Sequence, residues 1–363
     1  MKGVLTLLLC FWLMVFSTTT AWAQLPEEVE EALPEAAEEL LEDLGETEAD
    51  TGTLQRGLRR MGEMAWEMLS RDFRASLRVV ILLLSVVLLH GMTESIFEST
   101  GGSKMVNVIP LAFVLVVTMT TAGDMQTMIG TGMTTMEELD ILAKALLPTL
   151  AAAVAAGGAI VSAGVQNVAT VFFANFLITL IREVLLPLVY CYIAAVTANA
   201  ILPQQPLKGI AAVLRKGITW LLTGVLVIFT GYLSITNAAA NSADTLTLQL
   251  TRSAISTAVP VVGGIISRAT SSLMAGAGLL KSSLGVFGML AVLATCVTPF
   301  VSMGVQYILY KLTAFFAGLS GGGRVVELID ALGNAFGLVL GMVGACAALL
   351  LIAITSSISV VIG

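Results

Sequence analysis

Residues 334–358, NAFGLVLGMVGACAALLLIAITSSI, carry no charged side chain over 25 consecutive positions. About 20 apolar residues let a helix cross the hydrocarbon core of a bilayer, so this stretch predicts a membrane span. The rest of the chain agrees, since 57% of its 363 residues are hydrophobic, only 12% are charged, and the mean hydropathy is +0.93. Soluble domains carry about twice that share of charge. The sequence therefore predicts an all-α, polytopic membrane protein.

Further apolar segments follow one another closely from Val79 onward. They lie at 79–96, 105–122, 146–165, 168–186, 187–202, 217–236, 260–278, 284–298 and 299–317. Several are shorter than a membrane span requires. The stretches 168–202 and 284–317 each predict either one bent helix or two short ones. The expected number of spans is therefore about seven to ten.

Prolines divide the membrane region, 79–363, into two similar halves. Pro148 and Pro187 are 39 residues apart, as are Pro260 and Pro299, and the two pairs are offset by 112 residues. This spacing predicts two tandem parallel repeats after an N-terminal helix pair. A chance coincidence of prolines is the alternative, because few other residues match at this offset. The predicted helix pair, first repeat and second repeat lie at 79–122, 146–236 and 260–358.

The N-terminus has the three parts of a secretory signal peptide. Lys2 supplies a positive charge, Val4–Phe16 is apolar, and Ala21-Trp22-Ala23 is a small-x-small cleavage site. A cleavable signal over 1–23 predicts that the segment after it is exported. An uncleaved first helix is the alternative.

The predicted exported head, 24–78, divides into two parts by charge. Residues 24–50 contain twelve acidic residues and no Lys or Arg, whereas 51–78 contain six Arg against three acidic residues. Apolar residues recur at three- and four-residue spacing in both parts, which predicts amphipathic helices. The second helix would lie along the membrane surface or pack against the first. A disordered acidic tail is the alternative for 24–50.

Basic residues between the spans indicate the orientation. Lys208, Arg215 and Lys216 form a short basic loop, which the positive-inside rule places in the cytoplasm. Arg324 then lies on the same side, and the head is extracytoplasmic. The six Arg before Val79 run against this tendency.

Polar residues within apolar surroundings are candidate pore positions. Gly263-Gly264, followed by Arg268 and Lys281, is too polar for a lipid-facing helix. Irregular backbone at membrane depth is tolerated only when it is buried in protein or lines water. This stretch therefore predicts a re-entrant or pore-lining element, with an ordinary interfacial helix as the alternative.

Two further patterns complete the candidate positions. Gly333, Gly337 and Gly341 are spaced by four, a double small-xxx-small pattern that allows helices to pack closely, within one subunit or between copies of the chain. Arg182-Glu183 and Lys311 are charges within apolar stretches, and such charges often mark a transport pathway. A structural or interfacial role is the preferred interpretation, since neighbours on a helix point about 100° apart and Lys311 can snorkel.

The sequence shows no recognisable motif for catalysis, cofactor binding or metal binding. The sequence contains no Walker-type phosphate loop, zinc-ligand spacing or nucleophile elbow. Its single histidine, His90, lies near the end of the first predicted span and is interpreted as interfacial. Basic residues are not gathered on a soluble face, as nucleic-acid binding requires. The sequence therefore predicts a protein that is not an enzyme and that has the lipid bilayer as its surroundings.

A resemblance to the stage III sporulation protein AE family rests on four segments in a fixed order. They are Arg182-Glu183-Val184-Leu185-Leu186-Pro187, Val259-Pro260-Val261-Val262-Gly263-Gly264, Leu279-Leu280-Lys281-Ser282-Ser283, and the run from Cys296-Val297-Thr298-Pro299 to Tyr310-Lys311-Leu312-Thr313. The resemblance covers most of the chain, including the signal peptide and the polytopic body. It implies a membrane component of the channel complex that joins mother cell and forespore in endospore-forming bacteria.

The resemblance also implies partners and a location. The partners are other stage III sporulation proteins of the A group, a secretion-type ATPase, and stage II sporulation protein Q from the forespore. The location is the mother-cell-derived outer forespore membrane, with the head in the space between the two membranes. No cofactor is implied. A self-sufficient secondary transporter, with a substrate site near the midplane between two repeats, is the alternative function.

Overall fold

The computed structural model describes residues 27–35, 37–39, 51–99, 109–156, 160–202, 207–258, 263–319 and 323–359. The predicted signal peptide, 1–23, and most of the acidic part of the head lie outside the described residues. Between 237 and 282 the description is limited to the backbone of the helices.

The described residues form helices joined by short connections and contain no strand. The helices are α1 (Glu27–Glu30), α2 (Thr51–Ser99), α3 (Ile109–Ala156), α4 (Ile160–Leu180), a π-helical turn (Ile181–Leu185), α5 (Leu186–Ile201), α6 (Lys208–Ala258), α7 (Gly263–Gly318) and α8 (Gly323–Ser359). The predicted all-α class is confirmed.

Six stretches within these helices are long and apolar enough to cross a membrane. They are Gln55–Thr93, Leu111–Ala156, Ala163–Ile201, Lys208–Thr236, Ser283–Gly318 and Gly323–Ile358. The protein is therefore a multi-pass membrane protein. The described residues thus hold six candidate spans where the sequence predicted about seven to ten, and that higher count is not confirmed.

Prolines explain part of the difference, because they do not end the helices. Pro299 lies inside α7, so 284–298 and 299–317 form one continuous helix. Pro187 follows the π-helical turn, in which the Leu186 N–H donates to the Ile181 carbonyl five residues back. Proline has no backbone N–H to donate, and the wider π-helical turn before Pro187 accommodates the absence of this hydrogen bond. Unpaired backbone groups are costly in lipid, which favours an unbroken helix over two short ones.

The predicted tandem repeat is not confirmed. Pro148 lies inside α3, eight residues before that helix ends at Ala156, whereas Pro187 lies next to a π-helical turn. Pro260, at the start of the second predicted repeat, lies outside the described residues. The repeat and its boundaries stay a prediction.

Helices α7 and α8 form an antiparallel pair at the centre of the bundle. Gly333, Gly337 and Gly344 on α8 lie beside Tyr310, Tyr307 and Phe300 on α7, respectively. Residue numbers on one helix rise as those on the other fall, which defines the antiparallel register. Phe336 of α8 is buried in this seam, where its ring packs on the Tyr310 ring of α7.

Helix α2 runs parallel to α7 and joins the predicted head to the first span without a break. The Ser302 hydroxyl donates to Asp72 at 2.6 Å, and the Thr298 hydroxyl lies 3.7 Å from the Met68 sulfur. Both pairs are separated by 230 positions in the sequence, so the two helices run in the same direction. Met61 is buried, whereas the Arg59 side chain is exposed. The apolar side of the second head helix therefore packs on α7, and the head–body boundary drawn at 78 falls inside one helix.

The bundle is longer than a bilayer is thick. Leu111–Ala156 contains 46 residues, which at about 1.5 Å per residue extends roughly 69 Å. The hydrocarbon core is about 30 Å thick, and observed tilts of about 0–40° cannot absorb that difference. Part of α3 and of the helices packed beside it therefore lies outside the hydrocarbon core.

Candidate functional site

The ends of α2 and α5 meet the starts of α6 and α8 at one end of the bundle. The Lys208 Nζ lies 2.8 Å from Glu327 Oε1, which joins the start of α6 to α8. The Tyr192 hydroxyl donates to the Ala331 carbonyl at 3.0 Å, which joins α5 to the same part of α8. A Cβ placed on Gly323 would lie 3.5 Å from the His90 ring, so the end of α2 is there as well. We call this end of the bundle, around Lys208, Gly323 and Glu327, the basic end.

A cavity of about 530 Å³ opens at the basic end. It lies between α5, α6, α7 and α8, and its apolar wall includes Val196 and Ala211. Its charged lining consists of Lys208, Arg215, Lys311, Arg324, Glu327 and Asp330. Four cations thus face two carboxylates, so the cavity carries a net positive charge and attracts anionic groups.

Of the candidate residues that the sequence predicts, Lys311 lines this cavity. Its Nζ lies 2.7 Å from Asp330 Oδ1 and 6.0 Å from the centre of the Tyr307 ring. Asn334, one turn further along α8, donates to the other Asp330 oxygen at 3.4 Å. The Lys311 ammonium therefore lies in a polar network of the protein. A lysine that faced only lipid would instead have to extend to the membrane interface.

Arg182 and Glu183 lie in the π-helical turn, on the outside of the bundle. Arg182 forms an ion pair with Glu137 of α3, and both side chains are about half exposed. Glu183 is exposed. This placement joins the turn to α3 and keeps both charges away from the cavity at the basic end.

The three spaced glycines of α8 differ in their surroundings. A Cβ on Gly333 would lie 3.1 Å from the Tyr310 Cβ, and one on Gly337 would lie 3.2 Å from the Tyr307 ring. Gly341 is exposed, and a Cβ there would meet nothing within 4 Å. The first two glycines thus lie in the α7–α8 seam, and the third does not.

The remaining candidates lie in the first part of α7. Gly263, Gly264, Arg268 and Lys281 belong to the continuous helix that leads into the fifth candidate span. Their side-chain positions lie outside the described residues. The re-entrant or pore-lining role therefore stays a prediction, now for residues on a helical backbone.

A second polar cavity, of about 220 Å³, was not predicted. Two carboxylates, Asp72 on α2 and Asp124 on α3, line it. Asp124 is the only charged residue between 109 and 136, a signal that was available in the sequence. The predicted apolar segment 105–122 ends two residues before Asp124 and therefore leaves it out.

A buried aromatic layer lies between the two cavities. Both cavities touch α7 and α8. On α7, Tyr310 lies between the residues that line the first cavity and those that line the second, and on α8 Phe336 forms part of the wall of the second cavity. The two rings are 1% exposed and their centres are 5.1 Å apart. The Tyr310 hydroxyl donates to Asp124 at 2.9 Å.

Metal and thiol chemistry has little support in the described part of the chain. No group of three or more His, Cys, Asp or Glu side chains is placed there to hold a metal ion. Cys296 and Cys346 are buried and Cys191 is exposed, all as free thiols.

The sequence profile of the stage III sporulation protein AE family matches residues 41–361, most of the chain. The chain belongs to this family. It therefore has a sporulation role, and the stage III sporulation protein AE family is not a known enzyme family.

A curated relative is the stage III sporulation protein AE of Bacillus subtilis (strain 168). The two sequences are 27% identical over 186 residues, which is 51% of this chain and 47% of the relative. The match thus spans about half the length of that relative. No solved structure matches this member of the stage III sporulation protein AE family.

Proposed function

We propose that this protein is a non-catalytic membrane component of the channel complex that links mother cell and forespore and that forespore development requires. The observation that carries the proposal is family membership over residues 41–361, in a chain with six long apolar helices. The proposed partners are other stage III sporulation proteins of the A group and stage II sporulation protein Q. Copies of the chain itself are a further proposed partner.

The outer face of α6 supports a role in an assembly. Gly217, Gly224 and Gly231 are spaced by seven residues, and a Cβ on any of them would meet nothing within 4 Å among the described residues. Trp220 and Val227 lie on the same exposed side. Small residues on one side of a helix allow another helix to approach closely. A glycine that faces lipid provides no comparable packing. The face therefore suits a transmembrane helix of a partner subunit.

Replacing Gly224 with leucine tests this role. The side chain has open space within the subunit, so we expect normal membrane levels and normal thermal unfolding. Because it would protrude into a helix–helix contact, we expect less co-purification with the other stage III proteins and a lower yield of heat-resistant spores. Gly130→Leu is the matched control, since a Cβ on Gly130 also meets nothing within 4 Å but Gly130 lies on α3.

Two results would contradict the proposal. One is full sporulation and normal co-purification in the Gly224→Leu strain. The other is solute-specific uptake by the purified protein alone in liposomes, which would favour the secondary transporter. The placement of Arg182 and Glu183 on the outside of the bundle supports the channel component over a transporter with those charges at a midplane site.

The proposed location is the outer forespore membrane, with the head extracytoplasmic and the basic end in the mother-cell cytoplasm. Lys208, Arg215 and Arg324 gather at the basic end, as the positive-inside rule predicts for a cytoplasmic face. Six spans would place the head and the end of α8 together on the opposite side.

Cysteine labelling tests this orientation. In vegetative cells expressing a Cys191→Ser background, we expect a membrane-impermeant maleimide to label a cysteine at Gly45 in intact cells. A cysteine at Gly209 should react only after lysis, because it adjoins the basic end. Labelling of Gly209 but not Gly45 in intact cells would reverse the orientation.

A further inference from the structure

The cavity at the basic end combines exposed charged residues with buried apolar ones. Its volume of about 530 Å³ lies within the range of about 300–1,000 Å³ that is usual for pockets that bind small molecules. Lys208 and Arg215 line it and are exposed, whereas Val196, Ala211 and Leu328 line it and are buried. A ligand that has both an anionic group and an apolar part fits these two regions.

The positive charge of the lining exceeds what its carboxylates can neutralise. Glu327 pairs with Lys208 at 2.8 Å and Asp330 pairs with Lys311 at 2.7 Å, so both carboxylates of the lining have a lysine partner. Arg215 also lines the cavity, and it forms no ion pair within the part of the chain that the structure describes. A guanidinium can bind a phosphate through two parallel N–H donors. Arg215 therefore offers this contact to an anion that enters the cavity.

Two helix starts add to the positive potential. Helix α6 begins at Lys208 and α8 at Gly323, and the first turns of both helices contribute lining residues to the cavity, Lys208 and Arg324. The first N–H groups of a helix have no partner within it, so its N-terminus carries roughly half a positive charge. This charge favours phosphate groups in particular, because several N–H donors point towards the ligand.

An exposed apolar stripe on α7 extends from the cavity along the bundle. Phe315 lines the cavity, and its side chain is exposed. Leu312 and Ile308 precede it by three and seven residues and are exposed as well. This spacing places all three on one side of the helix, within the candidate span Ser283–Gly318. An acyl chain can lie along this stripe while a phosphate occupies the charged part of the cavity.

We propose that the cavity at the basic end binds an anionic phospholipid, with its phosphate at Arg215 and one acyl chain along Ile308, Leu312 and Phe315. Basic pockets between transmembrane helices are a recurring kind of site for anionic lipid headgroups. A zwitterionic lipid fits less well, because its ammonium would meet excess positive charge and both carboxylates already have partners. The site goes beyond the proposed channel role and does not depend on it, since its residues belong to one subunit.

Lipid binding to the purified protein tests the site. Full-length protein is delipidated in detergent and titrated with phosphatidylglycerol or with phosphatidylethanolamine of the same acyl chains, and native mass spectrometry measures the bound lipid. We expect phosphatidylglycerol to bind more tightly. Arg215→Gln should weaken phosphatidylglycerol binding by about tenfold, as expected for loss of a hydrogen bond to a charged group, and should leave phosphatidylethanolamine binding unchanged.

Lys216→Gln is the matched control for Arg215→Gln. Lys216 is the next residue on α6, carries the same charge and is also exposed, but it does not line the cavity. Neighbours on a helix point about 100° apart, so this variant should bind phosphatidylglycerol as the wild-type protein does. Arg215→Lys keeps the charge but not the two parallel donors, and its affinity should be intermediate. All three variants should unfold at the wild-type Tm without lipid, because both positions are exposed.

Two soluble compounds distinguish a lipid from a free phosphate. Inorganic phosphate and glycerophosphoglycerol, the deacylated headgroup, have the anionic group but no acyl chain to contact the stripe on α7. A ligand that binds the folded protein raises its Tm. We expect phosphatidylglycerol to raise the Tm at concentrations at which neither soluble compound does.

Three results would overturn the proposal. The first is equal affinity for phosphatidylglycerol and phosphatidylethanolamine. The second is a loss of binding in Arg215→Gln that is no greater than the loss in Lys216→Gln, which would show attraction to surface charge in general. The third is a rise in Tm with glycerophosphoglycerol or inorganic phosphate as large as that with phosphatidylglycerol, which would assign the cavity to a soluble phosphate.

Discussion

Replacing Gly333 with leucine is expected to reduce sharply the amount of folded protein. A Cβ at this position would lie 3.1 Å from the Tyr310 Cβ and 3.7 Å from the Lys311 backbone nitrogen. Neither atom can swing aside as the end of a flexible side chain can, so α7 and α8 would have to separate. Overpacking of this kind costs about 1–3 kcal/mol, and more where the backbone must shift. Size-exclusion chromatography and thermal unfolding in detergent measure the loss.

The same helix provides matched variants for this prediction. Gly341→Leu is the control, because a side chain there meets nothing within 4 Å. Gly337→Leu should be intermediate, since its neighbour is the Tyr307 ring, which is only half-buried and can rotate. Equal damage from Gly333→Leu and Gly341→Leu would show that the α7–α8 seam is not where the structure places it.

Replacing Tyr310 with alanine is expected to destabilise the protein more than truncating any exposed aromatic residue. The ring is 1% exposed and packs on Phe336 at 5.1 Å between ring centres. Truncation of a buried aromatic ring costs about 3–5 kcal/mol. Loss of the 2.9 Å hydrogen bond would also leave Asp124 without its donor, which costs about 1–3 kcal/mol more. The Tm in detergent should fall accordingly.

Tyr310→Phe separates these two contributions. It keeps the ring and removes only the hydroxyl, so the Tm should lie between those of the wild-type protein and Tyr310→Ala. Phe315→Ala is the control on the same helix, because Phe315 is 64% exposed. If Tyr310→Phe lowered the Tm as much as Tyr310→Ala, the buried layer between the cavities would contribute little through its packing.

Helix length was harder to predict than helix class. Prolines and isolated charges mark the ends of several predicted apolar segments, as they do for soluble helices. In the structure α7 continues through Pro299, and α3 continues through Pro148 and past Asp124. A helix surrounded by lipid and by other helices tolerates these interruptions, because breaking it would expose backbone groups that have no water to bind.

The candidate positions were predictable in different degrees. Gly333 and Gly337 followed from their spacing, since small-xxx-small is a local pattern. An equally local pattern, a spacing of seven residues, places Gly217, Gly224 and Gly231 on one side of α6. The sequence favours snorkelling of Lys311 to the interface, whereas in the structure its partner is Asp330, only 19 residues away. That ion pair requires the antiparallel return of α8 along α7.

The sequence alone determined the class of the protein and its family. The hydropathy of a span is a sum over about 20 consecutive residues, and the order of the family motifs is their order along the chain. Both are therefore visible without knowledge of the fold. Only the tertiary structure decided which polar side chains meet. Asp72, Asp124 and Ser302 belong to three different helices, and the second cavity exists because packing brings them together. No periodicity along the chain contains that information, since contacts between residues 230 positions apart depend on how whole helices align.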